Sequence, residues 1–166
     1  MLKRKTNFAD IARDYTPYGD GLIDESTSRV YDWNIPCLRA SYDGLDRYLE
    51  AQNKRNTYQT ALEEVKAGKK KTHWIWYIFP TLRNWFSSDM SKYYGITGRE
   101  EAGEYINHPT LGKRLVEITE AVYNSDKTVY EIFGNDAIKV RSCMLLFASV
   151  SDIPIFKKMV QKYGWR

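Results

Sequence analysis

The sequence predicts an all-α fold, a compact single-domain bundle of about six to eight helices behind a partly irregular N-terminal extension. Three observations predict it. From Leu45 onward, apolar side chains recur at separations of three, four and seven residues, the period of one buried helical face. No stretch alternates β-branched and polar residues between hairpin turns, as half-buried strands would. And 43% of the 166 residues are hydrophobic, enough to fill one core and to exclude wholesale disorder.

The elements follow in order. Residues 1–43 are the extension, because DYTPYGDGLIDESTSRVYDWNIP is rich in Asp, Gly, Pro, Ser and Thr and holds no period. Residues 44–166 are the helical domain. Leu45, Leu49, Tyr58, Leu62 and Val65 line one long helix or a pair broken at QNKRNT, closed by Gly68. Ser87 and Ser88 cap a short helix that ends before Gly95. Thr97 and Glu100 form a capping box for a helix running through Tyr105 and Ile106. His108 and Pro109 stop that helix, and His108 is placed to cap its last carbonyls. Leu111, Leu115, Ile118 and Val122 mark the inner face of the next helix. Residues 129–133 make a further turn, ended by Gly134. The apolar run 136–150, with Ile138, Met144, Leu145, Leu146 and Phe147, reads as the central helix. Asp152 as N-cap and Pro154 in the first turn open the last helix, which Gly164 closes.

Several function classes are disfavoured. The longest apolar runs, 74–79 and 143–148, fall far short of a bilayer span, so no membrane association is expected. MLKRKTNFADIARDY has no apolar stretch of the kind a secretory signal needs, which points to the cytoplasm. Neither a P-loop nor G-x-G-x-x-G occurs, which argues against ATP-driven and Rossmann redox chemistry. The two cysteines and two histidines lack the short spacings of a metal knuckle, so neither a metal nor another cofactor is expected. Cys143, within CMLLF, reads as a small buried hydrophobe. The net charge of +4 is mildly basic, which suits an anionic partner without requiring nucleic acid. The first 43 residues carry six basic and seven acidic side chains, so the positive charge belongs to the helical domain.

Aromatic residues supply the functional signal. The chain has 6 Phe, 13 Tyr and 5 Trp, and eight of these lie between His73 and Tyr94. GKKKTHWIWYIFPTLRNW, LDRYLEAQ, YYGI, EAGEYINHPTLGKRL, EIFG and KVRSCMLLFA together resemble the domain of unknown function family 1810, over about residues 45–163. The resemblance implies a nearly all-helical single domain and supplies no settled activity. This sequence departs from the family pattern at Thr81, where Gln is common, and at Leu145, where a hydroxyl residue is common.

The residues themselves suggest chemistry. His73 stands between Lys69, Lys70 and Lys71 on one side and Trp74, Trp76 and Phe79 on the other. Like charge and desolvation both lower an imidazole pKa, so His73 is the general acid–base candidate; the alternative is a histidine bonded to backbone that fixes the helix entry. Trp74 and Trp76 are two apart and cannot share a helical face, so one belongs in the core and the other on a surface or cleft. Arg83 could offer a fork to phosphate or carboxylate, or be a solvated loop charge. Lys139, Arg141 and Ser142 lie on an otherwise apolar segment, where cations need an anionic ligand or an internal carboxylate such as Asp136 or Glu131. Ser142 lacks the elbow signature of a serine hydrolase.

The expectation is a cleft with His73 as acid–base group and Trp74, Trp76, Phe79, Arg83, Lys139, Arg141 and Ser142 as ligand contacts. It would bind a nucleotide-like or other planar anionic small molecule. If the protein is an enzyme, the reaction is transfer or hydrolysis at a phosphate- or ribose-bearing ligand. Two alternatives stand beside this: a single-stranded nucleic-acid platform built on the lysine run, and a protein-interaction module anchored by exposed Trp and Tyr.

Overall fold

The computed structural model describes residues 44–166, and the predicted extension at 1–43 lies outside them. The described fold is all-α. In chain order it contains α1 (Asp46–Asn53), α2 (Thr57–Lys66), α3 (Ile75–Ile78), α4 (Asp89–Tyr93), α5 (Arg99–Asn107), α6 (Leu111–Tyr123), α7 (Val129–Phe133), α8 (Ala137–Val150) and α9 (Pro154–Tyr163). Short 3-10 turns occupy Lys54–Asn56, Arg83–Trp85 and Gly134–Asp136. Six helices have eight residues or more, and α3, α4 and α7 are brief turns. Among the described residues the β-type contact is one isolated parallel bridge, Leu82 to Ile96.

The chain divides into two units: Phe86–Tyr93 with the chain up to Arg47, and Tyr48–Trp85 with Tyr94–Arg166. In the first, buried Arg47 donates from Nε to the Tyr93 carbonyl at 2.8 Å. Ser88 Oγ caps α4 by accepting from the Ser91 N–H at 3.1 Å. The second unit contains all the candidate site residues.

Local chemistry explains its corners. The helical run of 46–66 breaks between α1 and α2, where Arg55 (φ 54°) and Asn56 (φ 56°) are both left-handed. Asparagine tolerates that conformation. At the end of α2, Gly68 adopts φ +87°. Its N–H donates to the Val65 carbonyl and the Lys69 N–H to the Glu64 carbonyl, the paired bonds of a Schellman stop.

Between α5 and α6 the prediction for His108 is corrected. His108 caps the helix that follows: its Nδ1 accepts from the N–H groups of Thr110 and Leu111 at 3.1 and 3.2 Å. Those amides at the head of α6 have no acceptor inside the helix, so the imidazole nitrogen takes that role. Two other expected caps also move. Thr97 is held by Glu101 Oε1 at 2.9 Å, one residue beyond the predicted Glu100, with Gly98 as the N-cap of α5. The N-cap of α9 is Ile153, not Asp152. A capping box that was not foreseen, Thr128 with Glu131, opens α7.

The core lies along α8, which packs on α5, α7 and α9, while α6 packs on α2, α5 and α9. Val140, Cys143, Met144 and Phe147 are fully buried on α8, each of the larger ones contributing about 1.5–3 kcal/mol. Ile138, expected in the core, is 52% exposed. It is two positions from Val140 and so falls on another face of the helix. Leu111, Leu115, Ile118 and Val122 are all buried on α6. No described helix is long and apolar enough to cross a membrane.

Candidate functional site

The HWIWYIFP segment enters the fold through a clamp. Glu64, in the last turn of α2, turns its carboxylate onto the connection leading to α3. Oε1 accepts from the N–H of Lys71 at 2.7 Å and of Thr72 at 3.1 Å. It also accepts from Trp74 Nε1 at 2.9 Å, and Oε2 accepts from Thr72 Oγ1 at 2.7 Å. Burial pulls the Glu64 carboxyl upward, but the bonds from Lys71, Thr72 and Trp74 outweigh it and hold the group below its ordinary value.

The opposite side of the connection is tied to the α7–α8 corner. The Lys70 N–H donates to the Ile132 carbonyl at 2.8 Å. Lys70 Nζ pairs with Asp136 Oδ2 at 3.0 Å, and its side chain is only 9% exposed. The same ammonium lies 5.1 Å from the Trp74 ring centroid, within cation–π range. Lys139 Nζ meets Asp136 Oδ1 at 3.5 Å. Beneath them Trp74 stacks edge-on against Phe133 at 6.0 Å, and Phe79 does the same at 5.4 Å. These edge-to-face contacts match the ring quadrupoles.

The candidate residues thus take different places. Trp74 and Phe79 are each 1% exposed and belong to this interior cluster. Trp74 spends its N–H on Glu64 and part of its ring on Lys70, so it positions the connection instead of walling a cleft. Trp76 is half-buried one turn along. His73 is exposed: its carbonyl accepts from the Tyr77 hydroxyl at 3.2 Å, while its imidazole makes no hydrogen bond or ion pair among the described residues. Lys139 joins the cluster through Asp136, the internal carboxylate that the sequence offered.

Arg83 and Arg141 are bonded to residues outside that cluster. The Arg83 N–H donates to the Ile96 carbonyl at 2.9 Å, and its Nε and Nη2 are shut off from solvent. Arg141 Nη2 donates to the Arg166 carbonyl at 2.7 Å, binding α8 to the end of the chain. Ser142 is half-buried on α8. Among these contacts Trp74, Phe79 and Lys139 come together, His73 is exposed beside Trp74, and Arg141 is drawn to the C-terminal segment.

Sequence reasoning missed Glu64 and the inward role of Lys70. A signal for Glu64 existed. A carboxylate in the last turn of a helix opposes the macrodipole, so an acid kept there has another task. LDRYLEAQ and NHPTLGKRL also meet inside the fold. Buried Gln52 donates from Nε2 to the Tyr77 carbonyl at 2.7 Å and to Tyr105 Oη at 3.2 Å. Arg114 donates from Nη1 to Gln52 Oε1 at 3.1 Å and lies over the Tyr58 ring. The Tyr58 hydroxyl donates to Glu117 at 2.6 Å. Burial first, then that bond and the charge of Glu117, push the phenol far above its usual range. These residues couple α1, α2, α3, α5 and α6.

The family model described as Protein of unknown function (DUF1810) matches residues 42–165. The chain belongs to this family. The crystal structure of a conserved hypothetical protein, Rv1873 from Mycobacterium tuberculosis, is similar to it. Identity is 40%, the match covers 72% of this chain and 87% of that one, and the TM-score is 0.69. No curated protein matches. In this DUF1810 chain, then, HWIWYIFP folds as a clamped aromatic seat with a cationic outer edge.

Proposed function

We propose that this DUF1810 chain is a cytoplasmic protein that binds a nucleotide-like anionic small molecule at the outer edge of the 69–73 connection. One observation carries the reading. Lys69, Lys71 and His73 are exposed and, among the described residues, hold no ion pair. The backbone beneath them is fixed by Glu64 and Ile132. With the backbone already ordered, an anion here orders only the side chains, which lowers the entropic cost of binding. Trp76, half-buried on the following turn, offers a ring to a planar group. Lys139, Arg83, Arg141 and Ser142 are secondary candidates.

Should the ligand be turned over, His73 is the acid–base group nearest to it, and transfer or hydrolysis at a phosphate or ribose is the reaction class. The test is thermal denaturation of the full chain with ADP, NAD and ADP-ribose at millimolar concentration. A ligand at 100 times its Kd raises stability by about 2.7 kcal/mol, and K71A and H73A should reduce the shift. No shift with any of the three would defeat the reading.

A further inference from the structure

From Lys69 to Trp74, side chains that bond to the protein alternate with side chains that do not, although Thr72 of the bonded set is itself exposed. Lys70, Thr72 and Trp74 are engaged by the protein, Lys70 through Asp136 and the other two through Glu64. Lys69, Lys71 and His73 are exposed and carry no side-chain hydrogen bond or ion pair among the described residues. Four successive amides of the connection are already used. Lys69 donates to the Glu64 carbonyl, Lys70 to the Ile132 carbonyl, and Lys71 and Thr72 to the Glu64 carboxylate. With those amides occupied, no backbone nest is left on 69–72, and recognition of an anion falls to the three outward side chains.

Positions two apart on a chain are separated by about 7 Å at most. The Lys69 and Lys71 ammonium groups, on four-carbon stems, therefore both reach neighbouring phosphoryl groups of one ligand. A single exposed lysine on a single phosphate contributes little against solvent. Two on a preordered backbone gain with each added phosphoryl group. Lys70 and Lys139 are committed to Asp136, while exposed Lys127, whose side chain lies against Gly68, adds a further cation beside Lys69.

Resting on the reading of this edge as an anion site, we infer that its ligand carries at least two linked phosphoryl groups. A nucleoside diphosphate or a pyrophosphate-linked dinucleotide has that chemistry. Lys69 and Lys71 hold the phosphates, and His73 contacts the ribose or base.

Calorimetric titration of the full chain at fixed ionic strength tests this, using AMP, ADP and inorganic pyrophosphate against wild type, K69A/K71A, H73A and K157A. Lys157 is exposed on α9 and serves as the charge control. ADP should bind about tenfold tighter than AMP, the step expected from one further charge-assisted contact. K69A/K71A should erase that ratio and K157A should keep it, while H73A should weaken ADP but not pyrophosphate. Equal binding of AMP and ADP, or a ratio that survives K69A/K71A, overturns the inference and leaves the anion site standing. Failure of all three probes to bind overturns both. A single-stranded oligonucleotide that binds more tightly than ADP, with a steep salt dependence, overturns it in favour of a nucleic-acid surface.

Discussion

Glu64→Ala should destabilise the protein chiefly through one atom, the indole nitrogen of Trp74. Of the four bonds the carboxylate accepts, three come from Lys71 and Thr72 at an exposed edge. Water replaces these, and their loss costs at most about 1 kcal/mol in total. The fourth comes from Trp74, whose side chain is 1% exposed. An indole N–H left there without an acceptor costs about 1–3 kcal/mol. The sum is about 1–4 kcal/mol, and its middle corresponds to a fall in Tm of about 5–10 °C. The decisive measurement is a double-mutant cycle in urea. In a W74F background the orphaned donor no longer exists, so E64A should cost only about 1 kcal/mol there, giving a coupling of about 1–2 kcal/mol. Acidity supplies a second readout. Because folding lowers the Glu64 pKa, its contribution is present above the ordinary glutamate value of about 4.3. It disappears as the pH falls through the lower folded value. The gap between wild type and E64Q should therefore be full at pH 7 and shrink below about pH 4. A coupling near zero, or a gap that does not change in acid, would refute the clamp.

Other consequences are sharper in sign. A Cβ at Gly112 would sit 2.0 Å from the Ile106 carbonyl oxygen, so G112A must force α5 and α6 apart at a cost above about 3 kcal/mol; a Tm within a degree or two of wild type would contradict that close approach. Thr119 Oγ1 is buried without a hydrogen-bond partner among the described residues, so T119V should stabilise by about 1 kcal/mol, and destabilisation in urea melts would mean the hydroxyl is satisfied. Burial pushes the Cys143 thiol well up, so in a C37S background Ellman's reagent should find no reactive thiol at pH 8 until urea unfolds the chain.

Helical faces were legible because burial imposes a period. Leu111, Leu115, Ile118 and Val122 needed only their spacing to be placed inside. Caps were less legible. Thr97 has acids at both 100 and 101, and spacing alone favours Glu100, whereas the N-cap falls at Gly98 and Glu101 reaches back to Thr97. His108 stands between two helices, and nothing local decides which it serves; the turn at Pro109 brings its ring over the head of α6. Ile138 was misplaced because hydrophobicity was read without its phase along α8. The clamp was beyond local reading, since Lys70 and Asp136 are 66 positions apart and meet only after α7 has packed against α8.

Two of the aromatic residues that make this segment recognisable have almost no exposed surface. Trp74 and Phe79 are interior, and their indole and ring surfaces are occupied by Glu64, Lys70 and Phe133. A seat of that kind costs side-chain freedom and takes an ion pair, partly exposed on the Asp136 side, that gains little stability by itself. Replacing Lys70 and Asp136 with apolar residues of similar volume would fill the same space. The Lys70 N–H bond to the Ile132 carbonyl and the Glu64 bonds to the Lys71 and Thr72 amides would remain, so the outward placing of positions 69 and 71 does not depend on the charge of the pair. The K70M/D136L double variant should accordingly keep its stability in urea melts and its response to phosphate-bearing ligands; loss of either would show that the ion pair itself orients the segment.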